Sequence, residues 1–121
     1  MTFTLHEAHA FVQIATSGTI VSRTFADRYL AYYNGLAEPW LHHRLVDFRD
    51  STGYMVYDDV IRLSHFWTPH VCRFPSPRKV AVVNASRLVV ARLPTADQLF
   101  SGQHHRAFDT VAEAEAWLGG H

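Results

Sequence analysis

Two short apolar runs, set a helix's length apart, restrict the fold of this chain more than any other feature. They are Arg44-Leu45-Val46-Asp47-Phe48-Arg49 and Arg78-Lys79-Val80-Ala81-Val82-Val83-Asn84. Both are too short for globular helices, and the second is rich in β-branched residues, so both read as strands. The second has the near-continuous apolar character of a buried parallel strand. Between them Val56, Val60, Leu63 and Trp67 recur at i, i+4, i+7 and i+11, one face of a helix from about Val56 to Trp67. Asp58 and Asp59 stand in its first turn, where negative charge suits the helix dipole, and Pro69 should end or kink it. Strand, helix, strand in this order is a βαβ unit.

The rest of the chain extends the alternation. Phe3 to Glu7 and Phe11 to Thr16 read as a hairpin turning near His9 and Ala10, so the first strand runs antiparallel to the second. Ser17-Gly18-Thr19 breaks the pattern. A helix from Thr24 to Ala37 follows, with Thr24 and Asp27 as a weak capping box and Phe25, Tyr29, Tyr32 and Leu36 on one face. Asp50-Ser51-Thr52-Gly53 is turn chemistry. Ser86 caps a third helix through Arg92, interrupted at Pro94 and resuming to Phe100. His105 to Phe108 is a last strand. Thr110 to Leu118 is a last helix, with Thr110 and Glu113 as a capping box and Gly119-Gly120 as its stop. The expected architecture is α/β, a mostly parallel five-stranded sheet with an antiparallel first strand and about four helices. At 121 residues this reads as a single domain over 1–121.

Charge and cysteine content exclude several classes of function. Eleven basic side chains balance eleven acidic ones, and no basic stripe appears, so nucleic acid has no electrostatic footprint here. Cys72 is the one cysteine, which rules out an internal disulfide. Its apolar neighbours Val71 and Phe74 predict a buried or half-buried, inert thiol. No apolar run is long enough to span a membrane. Met1 to Glu7 has neither a basic leader nor a long apolar segment, so no signal peptide is read and the cytoplasm is the expected compartment.

Three stretches together resemble the SpoIIAA-like family, a branch of the STAS-type fold. RLVDFRDSTG (Arg44 to Gly53) is similar to the family's strand of apolar-apolar-Asp-apolar-Arg-Asp followed by a Thr-Gly turn. RKVAVVN (Arg78 to Asn84) resembles its basic residue before an Ala-Val-Val strand. RAFDTVAEAEAWL (Arg106 to Leu118) resembles its closing strand and a helix ending Glu-Ala-x-x-Trp-Leu. The departures are the histidine pairs His42-His43 and His104-His105, and the prolines Pro75 and Pro77. The resemblance implies no reaction. It implies a carrier or sensor of small lipophilic molecules with some transient link to membranes. Remote relatives include bacterial anti-sigma-factor antagonists, which are switched by phosphorylation of a serine at a helix start.

The residues themselves offer few sites for chemistry. Ser51 and Thr52 are the phosphoacceptors that a signalling role would use, but Asp50 follows Asp47 too closely for the antagonists' spacing. Their plain reading is turn and cap residues. The histidine pairs flank two strands, yet adjacent histidines point to opposite faces and no zinc-type spacing accompanies them, so they read as solvated edges rather than ligands. Asp47 has no second acid beside it for paired acid–base work. There is no glycine-rich phosphate loop, no nucleophile elbow and no cofactor motif. The aromatic, proline-bounded second and third helices leave one expectation: an apolar pocket between them. Its lining would be Leu63, Phe66 and Trp67 on one side and Leu93 and Phe100 on the other. The leading functional reading is a non-enzymatic domain that binds a small lipophilic ligand or a protein partner, a second copy of itself included. The rival is an antagonist-like switch. An enzyme of unknown type stands third.

Overall fold

A computed structural model describes residues 1–119. Its nine regular elements are β1 (Thr2–His6), β2 (Phe11–Thr19), α1 (Ser22–Asn34), β3 (His43–Thr52), α2 (Tyr57–Trp67), β4 (Arg78–Val83), α3 (Arg87–Leu99), β5 (Gln103–Phe108) and α4 (Val111–Leu118). The strands form one sheet in the order β1-β2-β3-β4-β5. β1 is antiparallel to β2, and the other pairs are parallel.

This order decides where the helices go. Each parallel crossover steps to the next strand in the same direction, and right-handed crossovers then place α1, α2 and α3 on one face. The core divides accordingly. On that face Val12, Ile14 and Val46 pack with Phe25, Ala26, Tyr29 and Tyr33 of α1, Leu63 and Trp67 of α2, and Ala96 and Leu99 of α3. On the other face Phe11, Leu45, Ala81 and Val83 are covered by Ala114 and Leu118 of α4. The period-2 alternation of β3 and β4 therefore feeds two separate cores, which is why both runs are apolar throughout.

The structure corrects the expected elements at several places. β2 and β3 both run on through their turn-like ends. A bulge between Ala15 and Ser17 resets the register, and Ser17, Gly18 and Thr19 then pair with Asp50, Ser51 and Thr52. Two segments that look like turns when read singly satisfy each other's backbone groups. The sharp turn comes at Gly53, where φ is +92° and a side chain would be strained. α1 begins at Ser22 rather than at a Thr24 cap, and Val21 precedes it without a side-chain cap. The Ser22 hydroxyl accepts from the Val56 N–H (2.9 Å) and donates to Asp59 Oδ2 (2.6 Å), tying the start of α1 to the start of α2.

Pro94 does not interrupt α3. Its ring faces solvent, so the lost donor leaves the carbonyl four residues back open to water rather than buried. Cys72 is exposed, not buried, because it lies in the short 3-10 turn Thr68–Arg73 that follows α2. α4 has the expected box: Thr110 Oγ1 accepts from the Glu113 N–H (3.2 Å) and donates to Glu113 Oε1 (2.9 Å). Gly120, half of the expected Gly119-Gly120 stop, lies outside the described residues. No helix among the described residues is long and apolar enough to cross a membrane.

Two of the edge histidines are structural groups rather than solvated ones. His43 Nδ1 accepts the Lys79 N–H (2.8 Å), and His105 Nδ1 lies 2.8 Å from Asp97 Oδ1. Burial pushes both down to about 4, with nearby Arg78 adding to the effect at His43 and Arg44 at His105. Both are therefore neutral in the folded protein at pH 7, and in the unfolded chain each titrates near 6.5. Between those values the unfolded chain binds more protons, so stability is full above about pH 6.5 and falls as pH drops toward 4. His105, whose side chain is 6% exposed, should alone cost about 2 kcal/mol between pH 7 and pH 5. Urea midpoints at those two pH values check this. His105→Gln should reduce the difference, and equal midpoints in the parent protein would contradict it.

Candidate functional site

α1 packs along α2, but α2 and α3 diverge, and no residue of α3 is fully buried. The gap is a cleft of about 290 Å³ on the three-helix face. Its position follows from the register of β3. Arg44, Val46 and Phe48 alternate onto this face, and Phe48, packed against the edge of the core, is half-buried and lines the cleft. Val60 of α2 forms one wall. Val89, Leu93 and Ala96 of α3, at i, i+4 and i+7, form the other. Tyr54 and Tyr57 stand at the mouth and are about half exposed (50% and 52%), as is Val56 between them (49%). So much apolar surface in one place is more than scattered surface residues require. The mouth opens at the carboxyl ends of the parallel strands, where ligands of open α/β sheets are commonly bound.

Among the described residues one charged side chain, Arg92, lines the cleft. Arg92 Nη1 donates to the Met55 carbonyl (2.8 Å), and its guanidinium lies over the Tyr54 ring at 5.4 Å. These contacts fasten α3 to the loop before α2 across the mouth.

The expected pocket lining is split by the structure. Leu93 faces the cleft. Leu63, Phe66, Trp67 and Phe100 do not line it. Leu63 is in the core, and Phe66 sits against Tyr33, Trp67 and His70. Trp67 and Phe100 surround Arg44, whose guanidinium is buried with its carbon 5.4–5.9 Å from the rings of Tyr29, Tyr33, Trp67 and Phe100. Arg44 Nη2 donates to Gln103 Oε1 (2.7 Å), and no carboxylate pairs with Arg44 among the described residues. The apolar stripe of α2 thus serves two purposes: its first turn faces the cleft at Val60, and its last turns close the core. Helical periodicity reveals such a stripe but not which neighbour covers each turn.

Ser51 and Thr52 lie in β3, ahead of α2, which starts at Tyr57. The hydroxyls of Ser51 and Thr16 are 2.7 Å apart, Ser51 Oγ is 3.2 Å from the Phe48 carbonyl and Thr16 Oγ1 is 3.0 Å from the Asp47 carbonyl, and the two hydroxyl hydrogens serve two of these three contacts at a time. Thr52 is exposed. Asp47 is buried, which pushes its carboxyl up, but bonds from the Arg49 side chain and N–H outweigh this and hold it below the usual range. It is an ionised partner of an exposed arginine, with no second acid at hand. No three of His, Cys, Asp and Glu converge as metal ligands among the described residues.

No family model matches this chain. No curated protein matches it either. Among solved structures it is similar to an uncharacterized protein of the DUF3478 family with a SpoIIAA-like fold from Shewanella loihica PV-4. The similarity covers 97% of this chain and 90% of that one, with a TM-score of 0.60 at 14% identity.

Proposed function

We propose that this chain, which has the SpoIIAA-like fold, is a non-enzymatic domain that binds a small lipophilic ligand in the cleft between α2 and α3. The observation that supports this best is the cleft itself: apolar walls of Val60, Leu93 and Ala96 over Phe48, opening between exposed tyrosines. Few convergent polar groups and a concave apolar wall are what ligand sites share. A ligand that takes about 200 Å² of apolar surface out of water, its own and the wall's together, gains about 5 kcal/mol before ordering costs, which limits binding to the range of about 0.2 mM and weaker. A ligand so held exchanges readily with a membrane, which fits transient contact of a cytoplasmic protein with a bilayer surface.

The antagonist-like reading has less support. The Ser51 hydroxyl is engaged with Thr16 and the Phe48 carbonyl, and a phosphate there would not meet the free N–H groups of a helix start. We expect phosphosite mapping after incubation with lysate kinases to find Ser51 and Thr52 unmodified. Stoichiometric phosphate on either would promote the signalling reading.

The cleft is tested with an uncharged dye such as Nile red. Its emission should shift to the blue on adding the protein, and Ala96→Trp, which fills the cleft from α3, should abolish the shift without lowering the melting temperature by more than a few degrees. An equal shift in the variant would remove the cleft as the site. Trp67 is no reporter for this experiment, because it lies in the core beside Arg44. Tyr57→Trp would put an indole at the mouth instead.

A further inference from the structure

We infer that the ligand is a single-chain amphiphile with a carboxylate head, the head paired with Arg92 at the mouth and the alkyl chain lying over Phe48. This rests on the binding reading above and specifies its ligand class. Arg92 is the one charge on the cleft wall, and no carboxylate lies within ion-pair distance of it among the described residues. The acids nearest in sequence to the mouth, Asp58 and Asp59, do not line the cleft, and Asp59 is turned to Ser22.

The orientation of the guanidinium carries the argument. Nη1 is used by the Met55 carbonyl, and the plane is held over Tyr54, so the side chain is already ordered. Nε and Nη2 share the opposite edge of the fork and have no protein acceptor among the described residues. Two parallel donors on a fixed edge match the two oxygens of a carboxylate. The cleft, at about 290 Å³, has room for an alkyl chain along its floor.

The test compares dodecanoate with 1-dodecanol, below micelle-forming concentrations, as displacers of Nile red from the full chain. Dodecanoate should compete about tenfold more strongly, the worth of a partly exposed charge-assisted pair. Arg92→Gln should remove the difference between dodecanoate and dodecanol, whatever it does to both through its contacts with Met55 and Tyr54, and Arg92→Lys should restore part of that difference. If the two probes compete equally in the parent protein, or the tenfold difference survives in Arg92→Gln, the carboxylate inference is overturned while the cleft stands. If neither displaces the dye, and Ala96→Trp binds dye like the parent, both readings fall.

Discussion

Val82→Asp should lower the melting temperature by more than 10 °C or prevent folding. Val82 is a buried residue of β4, on the face that α1, α2 and α3 cover, beside Val46 in the parallel register. The buried guanidinium on this face among the described residues belongs to Arg44, beside Val80 rather than Val82 in the register, and is engaged with Gln103. An unpaired charge in such a place costs about 3–5 kcal/mol. A domain of this size has about 5–15 kcal/mol in total, and each kilocalorie shifts the midpoint by about 4 °C. Thermal denaturation followed by circular dichroism measures the effect directly. An unchanged midpoint would take Val82 out of the core and, with it, the strand assignment of the whole run.

The second large effect concerns Arg44, and its size depends on the replacement. Arg44→Ala should cost about 3–5 kcal/mol. It opens a void among four aromatic rings and leaves Gln103 Oε1 without its donor. Arg44→Met loses the same donor but opens no such void, so it should cost only about 1–3 kcal/mol. Methionine occupies much of the same volume, its sulfur suits contact with aromatic rings, and the desolvation penalty of a buried charge without an acid partner disappears. Urea unfolding of both variants decides the point. If Arg44→Met is as damaging as Arg44→Ala, the positive charge itself, attracted to the ring faces, holds this part of the core together.

What could be read from the residues, and what could not, divides by the range of the interaction. The runs at Arg44 and Arg78, the helix from about Val56 to Trp67 and the Thr110–Glu113 cap each depend on local patterning, and they appear in the structure within a residue or two, save that the first of these strands runs three residues past Arg49. The extension of β2 and β3 depends on Ser17–Thr19 and Asp50–Thr52 finding each other past a bulge, which neither segment announces alone. Pro94 reads as a break because its cost is local, yet its solvent-facing position, set by the packing of α3, lets the helix continue. A pocket between the second and third helices was legible, but its depth along them was not. The lining depends on where α3 leaves the sheet, so Leu93 faces the cleft while Trp67 and Phe100 close around Arg44. Burial of Arg44 is hardest to foresee: an arginine opening a strand looks like an exposed edge residue until three elements place aromatic rings around it.

The unequal cover of the two sheet faces bears on how the protein is made. The three-helix face draws on β2 to β4 and α1 to α3, so most of its core can consolidate while translation continues. Among the described residues the other face has α4 as its helical cover, and α4 follows β1 to β5. Until that segment leaves the ribosome, Phe11, Leu45 and Val83 have no helix against them. At about 5–20 residues per second the exposure lasts on the order of seconds. For that interval the nascent chain presents an apolar sheet face to the cell, and chaperones that recognise exposed strands should engage it there rather than on the three-helix face.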